Sequence, residues 1–329
     1  MLRFTLARVV RIVTLAAAVA ALSFALVAAA PGHVDDTWRL EPGYAPAAAA
    51  SIRARHDLDA PWALRLMRWA RATAGGDLGT SVEYDVPVAP LVARRVGRTL
   101  LLGAVGTALA WLLAVPMGIL MAARQHSIFD RAGRAVVVML LAIPEPVLAL
   151  SLVIVAVRTG LAPAGGMVPV RAVEDGVSSW AQVLDVARHL ALPAVALALG
   201  LAPTILRHVR STMREALDSP FIIAARARGV PARRIVFRSA LRPAAPPLIA
   251  LLGLSVGHLL GASLLVEVLT GWPGLGPLLV EATRSRDMPV VVAVTLAAAL
   301  LLAASNLAAD LALSWFDPRQ RDSAVASAR

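Results

Sequence analysis

Residues 99–123 read TLLLGAVGTALAWLLAVPMGILMAA, a run of 25 residues without a single ionisable side chain. As an α-helix, with a rise of about 1.5 Å per residue, this run is longer than the roughly 30 Å hydrocarbon core of a bilayer. A backbone surrounded by lipid has no water to satisfy its polar groups, so a helix is the form that such a run takes there. The run therefore predicts a helix that crosses a membrane.

Five more apolar blocks of similar length lie along the chain. Their only titratable side chains are Glu145 in the third block and His258 in the fifth. The chain has a mean hydropathy of +0.72 and only 16% charged residues, which is well below the charge of an ordinary soluble domain. We therefore predict an all-α membrane protein with six transmembrane helices. Besides 99–123, the blocks cover residues 12–30, 135–157, 190–206, 244–266 and 288–309.

The first block has an alternative interpretation as a cleaved signal peptide. Its end, Ala28-Ala29-Ala30, resembles a cleavage site. Its uncharged run of 19 residues is longer than the apolar region of a signal peptide, which usually spans about 7–15 residues. We expect residues 1–30 to remain in the protein as an N-terminal transmembrane helix.

All 32 basic residues are arginine, and the formal net charge is +11. The arginines lie mainly between the apolar blocks, where membrane orientation explains them better than nucleic-acid binding does. The absence of lysine excludes a Walker A loop, whose lysine contacts the nucleotide phosphates. Any ATP that drives this protein must therefore be bound by a partner chain, and we expect no cofactor here. The absence of cysteine excludes disulfides and cysteine metal sites.

Arginine distribution predicts the orientation of the chain. Residues 207–243 contain nine arginines against Glu215 and Asp218, whereas residues 31–98 are almost neutral. The positive-inside rule then places both termini and residues 207–243 in the cytoplasm. We predict an N-terminal helix at 1–30, an external segment at 31–98, a five-helix core at 99–316 and a cytoplasmic tail at 317–329.

The cytoplasmic segment 207–243, which we call the coupling loop, predicts two short basic helices. Ser219-Pro220 is a helix start, because serine caps free N–H groups and proline fits the first helical position. Phe221, Ile222 and Ala225 form a short apolar face. Gly229 ends this helix in a left-handed conformation, and Pro231 starts the second helix. Periodicity alone leaves two interpretations open: a surface that binds anionic lipid, or a helix that docks into a partner.

The motif at residues 224–229, AARARG, followed by Leu241, resembles the EAA loop of ABC-importer permeases. It is most similar to the dipeptide/oligopeptide/nickel branch, although Ile223 replaces the leading glutamate of the motif, Phe221 its tyrosine and Arg228 its lysine. Further motifs that resemble the family occur at residues 76–81 (GDLGTS), 271–276 (GWPGLG) and 286–291 (RDMPVV), in the same order along the chain as in the family.

This resemblance implies a type I ABC importer permease fold in a bacterial inner membrane. It implies a non-catalytic subunit that forms half of a translocation path for di- or oligopeptides, with nickel or a metal chelate as the alternative. The implied partners are a second homologous permease, two ATPase subunits and an external solute-binding protein. A stand-alone channel or structural membrane protein is the rival class, and it needs no docking helix. The implied ATPase-coupling residues are Phe221, Ile222, Ala224, Ala225, Arg226, Arg228, Gly229 and Leu241.

Two titratable residues lie inside predicted membrane helices. Glu145 stands between Pro144 and Pro146, which are expected to kink the third helix near its middle. It either bonds to a neighbouring helix or lines the translocation path. His258 lies near small residues typical of close helix packing, and it either packs and gates or contacts the substrate. We find no catalytic constellation.

Overall fold

The computed structural model describes residues 2–29, 50, 53–55, 59–160, 162–163 and 180–316. The predicted tail at 317–329 and residues 31–49 of the predicted external segment lie outside this part. No strand occurs among the described residues, in which one isolated bridge pairs Thr80 with Pro87. The helices are α1 (Leu2–Ala29), α2 (Trp62–Ala74), α3 (Val88–Ala123), α4 (Ile128–Ala142), α5 (Glu145–Thr159), α6 (Trp180–Leu217), α7 (Pro220–Ala227), α8 (Leu241–Thr270), α9 (Leu275–Arg284) and α10 (Met288–Phe316).

Several of these helices have the length and composition to cross a bilayer. Two helix pairs, α4 with α5 and the end of α8 with α9, reach that length only together, because each pair is bent at a short break. Counting each bent pair as one span raises the number of candidate spans in the described part from four to six. The predicted all-α, multi-pass architecture is confirmed. The four continuous candidate spans are Val88–Ala123, Val183–Leu217, Ala232–Ser255 and Met288–Leu307.

The predicted helix at 135–157 is interrupted rather than merely kinked. Helix α4 ends at Ala142, α5 begins at Glu145, and the two axes differ by 100°. Pro144 and Pro146 cannot donate helical hydrogen bonds, and Pro144 disfavours a helical conformation at Ile143, whose φ and ψ are −91° and 122°. Glu145 therefore lies in the first turn of α5 instead of the middle of a long helix.

The chain divides into two compact units. The first contains Met1–Thr99 and Pro273–Ala303, and the second contains Leu100–Trp272 and Ala304–Arg329. These units are defined by contacts within the chain and not by position relative to a membrane. The predicted boundaries of the N-terminal helix, external segment, core and tail therefore stay a prediction.

The first unit is built on α1, α2 and the start of α10. Phe24 of α1 packs with Met288 and Val292 of α10, and Trp69 of α2 covers this cluster. The rings of Phe24 and Trp69 lie 6.0 Å apart between centroids. The indole N–H of Trp69 donates to the Leu78 carbonyl at 3.3 Å, so the loop after α2 is held on the same cluster.

Asp287 ties together two of the motifs that carried the family resemblance. Its side chain is fully buried, and Oδ2 accepts from the Ser81 hydroxyl at 2.5 Å and from the Glu83 backbone N–H at 3.1 Å. The Ser81 hydroxyl oxygen in turn accepts from the Tyr84 N–H at 3.0 Å. Burial raises the pKa of Tyr84, and a hydrogen bond to Glu281 raises it further. The loop at residues 76–87 is thereby fixed to the start of α10.

In the second unit α6 is the central helix, with α4, α5 and α8 packed against it. Helix α3 also approaches α6 closely. A Cβ atom at Gly106 would lie 3.1 Å from Leu197 Cβ, and one at Gly118 would lie 2.7 Å from Val209 Cγ1. Glycine is therefore required at Gly118 to bring the two helices this close. The buried core of this unit includes Leu102, Leu197, Leu201, Ile205, Val209 and Met213.

Candidate functional site

The first half of the candidate site is α7, the short helix predicted inside the coupling loop. Pro220 occupies its first position, as predicted. The predicted serine cap is wrong, because the Ser219 hydroxyl donates to the Ala216 carbonyl at 2.6 Å and makes no cap bond to α7. Ser219 thus ties α7 to the end of α6. We call residues 219–229 the docking segment.

Gly229 ends the docking segment in the predicted left-handed conformation, with φ of +76°. The Val230 N–H donates to the Ala225 carbonyl at 3.2 Å, and the Gly229 N–H donates to the Arg226 carbonyl at 2.9 Å. The first of these bonds closes the helix end as in a Schellman motif. A Cβ at Gly229 would meet no atom within 4 Å, so backbone conformation alone favours glycine here.

The predicted apolar face of α7 is divided between the protein interior and the surface. Ile222 is fully buried and Ala225 is 7% exposed, and Ile222 belongs to the core of the second unit. By contrast, Phe221 is 50% exposed and Ile223 is 57% exposed. The prediction that Phe221, Ile222 and Ala225 share one docking face is therefore wrong. Ile222 and Ala225 anchor the helix to its own chain, and Phe221 and Ile223 lie on its exposed side.

The predicted second short helix does not exist as a separate element. One helical turn, Ala232–Arg234, continues through a π-helical stretch, Ile235–Ala240, into α8. Ile235 and Ala240 are buried, and Leu241 packs partly against the same core. The second half of the coupling loop is thus the beginning of the candidate membrane span Ala232–Ser255.

The exposed surface of the docking segment is basic as well as apolar. Its exposed members include Phe221, Ile223, Ala224, Arg226 and Arg228, and we call these five residues the docking surface. No acidic residue occurs between Asp218 and Glu267 in the sequence. The carboxylate of Asp218 lies 3.5 Å from Arg214 on α6, in an exposed ion pair. This surface therefore suits a partner with an apolar groove and acidic edges.

A buried ion pair lies near the docking segment, and sequence reasoning did not find it. Asp130, in the first turn of α4, is fully buried, and Arg210 of α6 is 17% exposed. Arg210 Nε donates to Asp130 Oδ1 at 2.6 Å, and Nη2 donates to Oδ2 at 2.9 Å. The local signal is the spacing from Ser127 to Asp130, which is typical of a helix N-terminus; the Ser127 hydroxyl oxygen accepts from the Asp130 N–H at 3.2 Å.

Of the two titratable residues predicted inside the membrane, the structure describes the side chain of Glu145 but not that of His258. Glu145 is partly buried, and a Cβ atom at Gly200 of α6 would lie 2.9 Å from Glu145 Oε1. The break between α4 and α5 thus places Glu145 against α6. His258 lies within α8, but its side chain is outside the part that the structure describes.

Comparison with known proteins identifies relatives along nearly the whole chain. Residues 114–322 match the family described as the binding-protein-dependent transport system inner membrane component. The oligopeptide transport system permease protein AppB of Bacillus subtilis is 34% identical, over 91% of this chain and 92% of AppB. The dipeptide transport system permease protein DppB of Escherichia coli K12 is 31% identical, over 98% of this chain and 99% of DppB.

A solved structure resembles this fold. The inward-facing MetNI methionine ABC transporter matches with a TM-score of 0.52 and 21% sequence identity. The match covers 69% of this chain and 96% of the MetNI chain. The likeness concerns the fold, and it confirms the type I ABC importer permease architecture that the resemblance implied.

Proposed function

The chain belongs to the binding-protein-dependent transport system inner membrane component family, and from this premise we propose that it forms half of the translocation path of an ATP-driven peptide importer. The observation that supports peptides as the solute is the near full-length similarity to AppB and DppB, which are named for oligopeptide and dipeptide transport. Nickel or another metal chelate is the second candidate, because it is the other solute class of the branch that the sequence resembles.

The complex that we propose contains this chain, a second homologous permease, two ATPase subunits and an external solute-binding protein. ATP is bound by the ATPase subunits, because a chain without lysine has no Walker A loop. The subunit itself is non-catalytic and moves the solute by changing conformation.

The docking segment is the contact that we propose for the ATPase. Two exposed large apolar side chains, Phe221 and Ile223, stand on a helix fixed from behind by buried Ile222 and Ala225. A helix that is held rigidly transmits its displacement to the rest of the chain, whereas a loosely attached helix moves independently of it. The buried pair therefore supports coupling without itself touching the partner.

The docking segment and both termini lie in the cytoplasm in this proposal, as the arginine distribution favours. The native chain has no cysteine, so single cysteines can be labelled without background. Met67→Cys on α2, which is 63% exposed, is expected to react with an impermeant thiol reagent from outside. Ala232→Cys is expected to react only after the membrane is opened, and the reverse pattern contradicts this orientation.

Uptake by liposomes that contain the assembled complex distinguishes the two solute classes. We expect labelled di- and oligopeptides to accumulate, and unlabelled peptides to compete with them. A nickel chelate is expected neither to accumulate nor to compete. Accumulation of the chelate without any effect of peptides would replace the peptide assignment by the second candidate.

We propose that Glu145 lines the path and contacts the cationic end of the solute. It is a carboxylate at a helix break inside a candidate span, and ionisable groups at such depth face protein or water rather than lipid. Glu145→Gln keeps the size and removes the charge. We expect uptake of peptides with a free amino end to fall about tenfold, which corresponds to about 1.4 kcal/mol.

The control for this substitution is Glu215→Gln, at an exposed position near the end of α6. It removes the same charge outside the membrane core and is expected to change uptake less than twofold. Unchanged uptake and unchanged solute preference in Glu145→Gln and Glu145→Ala, at normal expression, would exclude the path role.

A further inference from the structure

The Asp130–Arg210 ion pair joins two helices that are 80 residues apart in the sequence. Arg210 uses Nε and Nη2 to hold both oxygens of one carboxylate, which fixes orientation as well as distance. The His126 N–H adds a third bond to Asp130 Oδ2, at 3.3 Å, and Arg134 Nε lies 3.7 Å from the same oxygen. The carboxylate therefore has little freedom to rotate away from α6.

Close packing on both sides of this ion pair restricts it further. A Cβ atom at Gly118 of α3 would lie 2.7 Å from Val209, the neighbour of Arg210. A Cβ atom at Gly133 of α4 would lie 2.6 Å from Met121 Sδ of α3. Helices α3, α4 and α6 thus interlock around the pair. Such a closely packed contact moves as a body, because displacing one helix forces overlap with the next.

The position of the ion pair along α6 connects the docking segment with the helix break. Arg210 stands seven residues before the end of α6 at Leu217, and the docking segment follows directly. On its other side, Asp130 lies in the first turn of α4, which leads to the break and to Glu145. Glu145 meets α6 a second time, beside Gly200. The α4–α5 pair is therefore attached to α6 at two levels, by charge near the docking segment and by packing at the break.

We propose that Asp130 and Arg210 are positioning residues that carry movement of the docking segment from α6 to the α4–α5 pair. This proposal rests on the ATP-driven function described above. When the ATPase displaces the docking segment, the end of α6 moves with it, because Ile222 belongs to the same buried core as α6 and the Ser219 hydroxyl bonds to the Ala216 carbonyl. The bidentate ion pair makes α4 follow α6 instead of sliding past it. Helix α4 then shifts the break and Glu145.

The test uses the assembled complex in liposomes and measures the solute imported per ATP hydrolysed. Asp130→Asn keeps the shape of the side chain and removes the charge that holds both nitrogens of Arg210. We expect at least a tenfold fall in solute imported per ATP, with the ATPase still bound and its basal hydrolysis within twofold of wild type. Arg214→Gln with Asp218→Asn removes an exposed ion pair one turn farther along α6, and it is expected to leave the ratio unchanged.

A distance measurement separates this role from a merely structural one. Spin labels at Ile128→Cys and Arg207→Cys, both exposed, report on α4 and α6 near the ion pair. We expect the same distance with and without ATP in the wild-type background, because the helices move together. In the Asp130→Asn background we expect the distance to change when ATP binds.

Three results overturn the proposal. The first is an assembled Asp130→Asn complex that imports as much solute per ATP as wild type. The second is a label distance in Asp130→Asn that does not respond to ATP. If Asp130→Asn fails to assemble, Arg210→Lys is tested instead, because lysine keeps the positive charge but lacks the planar guanidinium that binds both carboxylate oxygens. The third result is an Arg210→Lys complex that imports as much solute per ATP as wild type. A wild-type complex without ATP-driven import would instead reject the proposed function itself.

Discussion

Phe221→Ala combined with Ile223→Ala is expected to abolish co-purification of the chain with its ATPase subunits while the chain itself stays folded in the membrane. Both side chains are at least half exposed, at 50% and 57%, and neither belongs to the buried core of its own unit. A large side chain buried at the centre of an interface can contribute about 2 kcal/mol or more, so the loss of one lowers affinity about thirtyfold and the loss of both lowers it further. Solute-stimulated ATP hydrolysis is expected to disappear with the association.

Ile128→Ala is the matched control for this substitution. Ile128 is 78% exposed at the start of α4, so the change removes a similar exposed side chain outside the docking segment. It is expected to leave both co-purification and hydrolysis within twofold of wild type. If the double substitution assembles normally and its hydrolysis still responds to solute, the docking surface has another role, such as binding anionic lipid.

Gly229→Val tests the same surface through the backbone. Valine at a φ of +76° costs about 1–2 kcal/mol, and its Cβ would meet no atom within 4 Å. The chain is expected to relieve this cost by unwinding the last turn of α7, which tilts Phe221 and Ile223. Hydrolysis is then expected to continue with much less import per ATP. Import at the wild-type ratio would show that the end of α7 does not set the docking angle.

Asp287→Asn is expected to lower the free energy of unfolding by about 2–4 kcal/mol. The carboxylate is fully buried, Oδ2 accepts from Ser81 and Glu83, and Oδ1 lies 3.5 Å from the Val290 N–H. An amide replaces one of these oxygens by an N–H₂ group. In either orientation that group faces a backbone N–H, so a donor is left opposite a donor.

The control is Asp85→Asn, in the same loop. Asp85 pairs with Arg55 at 3.5 Å, but both side chains are more than half exposed, and exposed ion pairs contribute little. Asparagine also tolerates the positive φ of 50° at this position. Thermal unfolding in detergent compares the two variants. Equal midpoints for Asp287→Asn and wild type would mean that the buried contacts of Asp287 do not hold the loop on α10.

The apolar blocks predicted the fold class well because membrane insertion depends on the length and composition of short segments. Five of the six blocks lie almost entirely within single helices, from α1 to α10. The prediction of one helix for the third block is wrong, because composition does not show where a helix is interrupted. Its length of 23 residues suggested one span, but Pro144 and Pro146 divide it into two helices at 100°. The two prolines predict a kink, whereas the structure has a complete break between α4 and α5.

The docking face was only partly predictable, because α7 has eight residues. A helix this short has two overlapping apolar stripes, and either of them could pack against its own protein. Periodicity alone does not predict which stripe is buried. The choice depends on the core around Ile222, which is built by residues far away in the sequence. The same reason applies to Asp130 and Arg210, whose pairing requires α4 and α6 to be side by side.

Uptake of a labelled peptide by liposomes, with and without the ATPase subunits, tests most directly that solute crosses this chain only when a separate ATPase drives it. With the full complex, ATP and the loaded binding protein, we predict accumulation above the outside concentration. With this chain and its partner permease alone, we predict no flux above that of protein-free liposomes. Equilibration of the peptide through the permeases without ATPase or ATP would contradict the account and identify a channel.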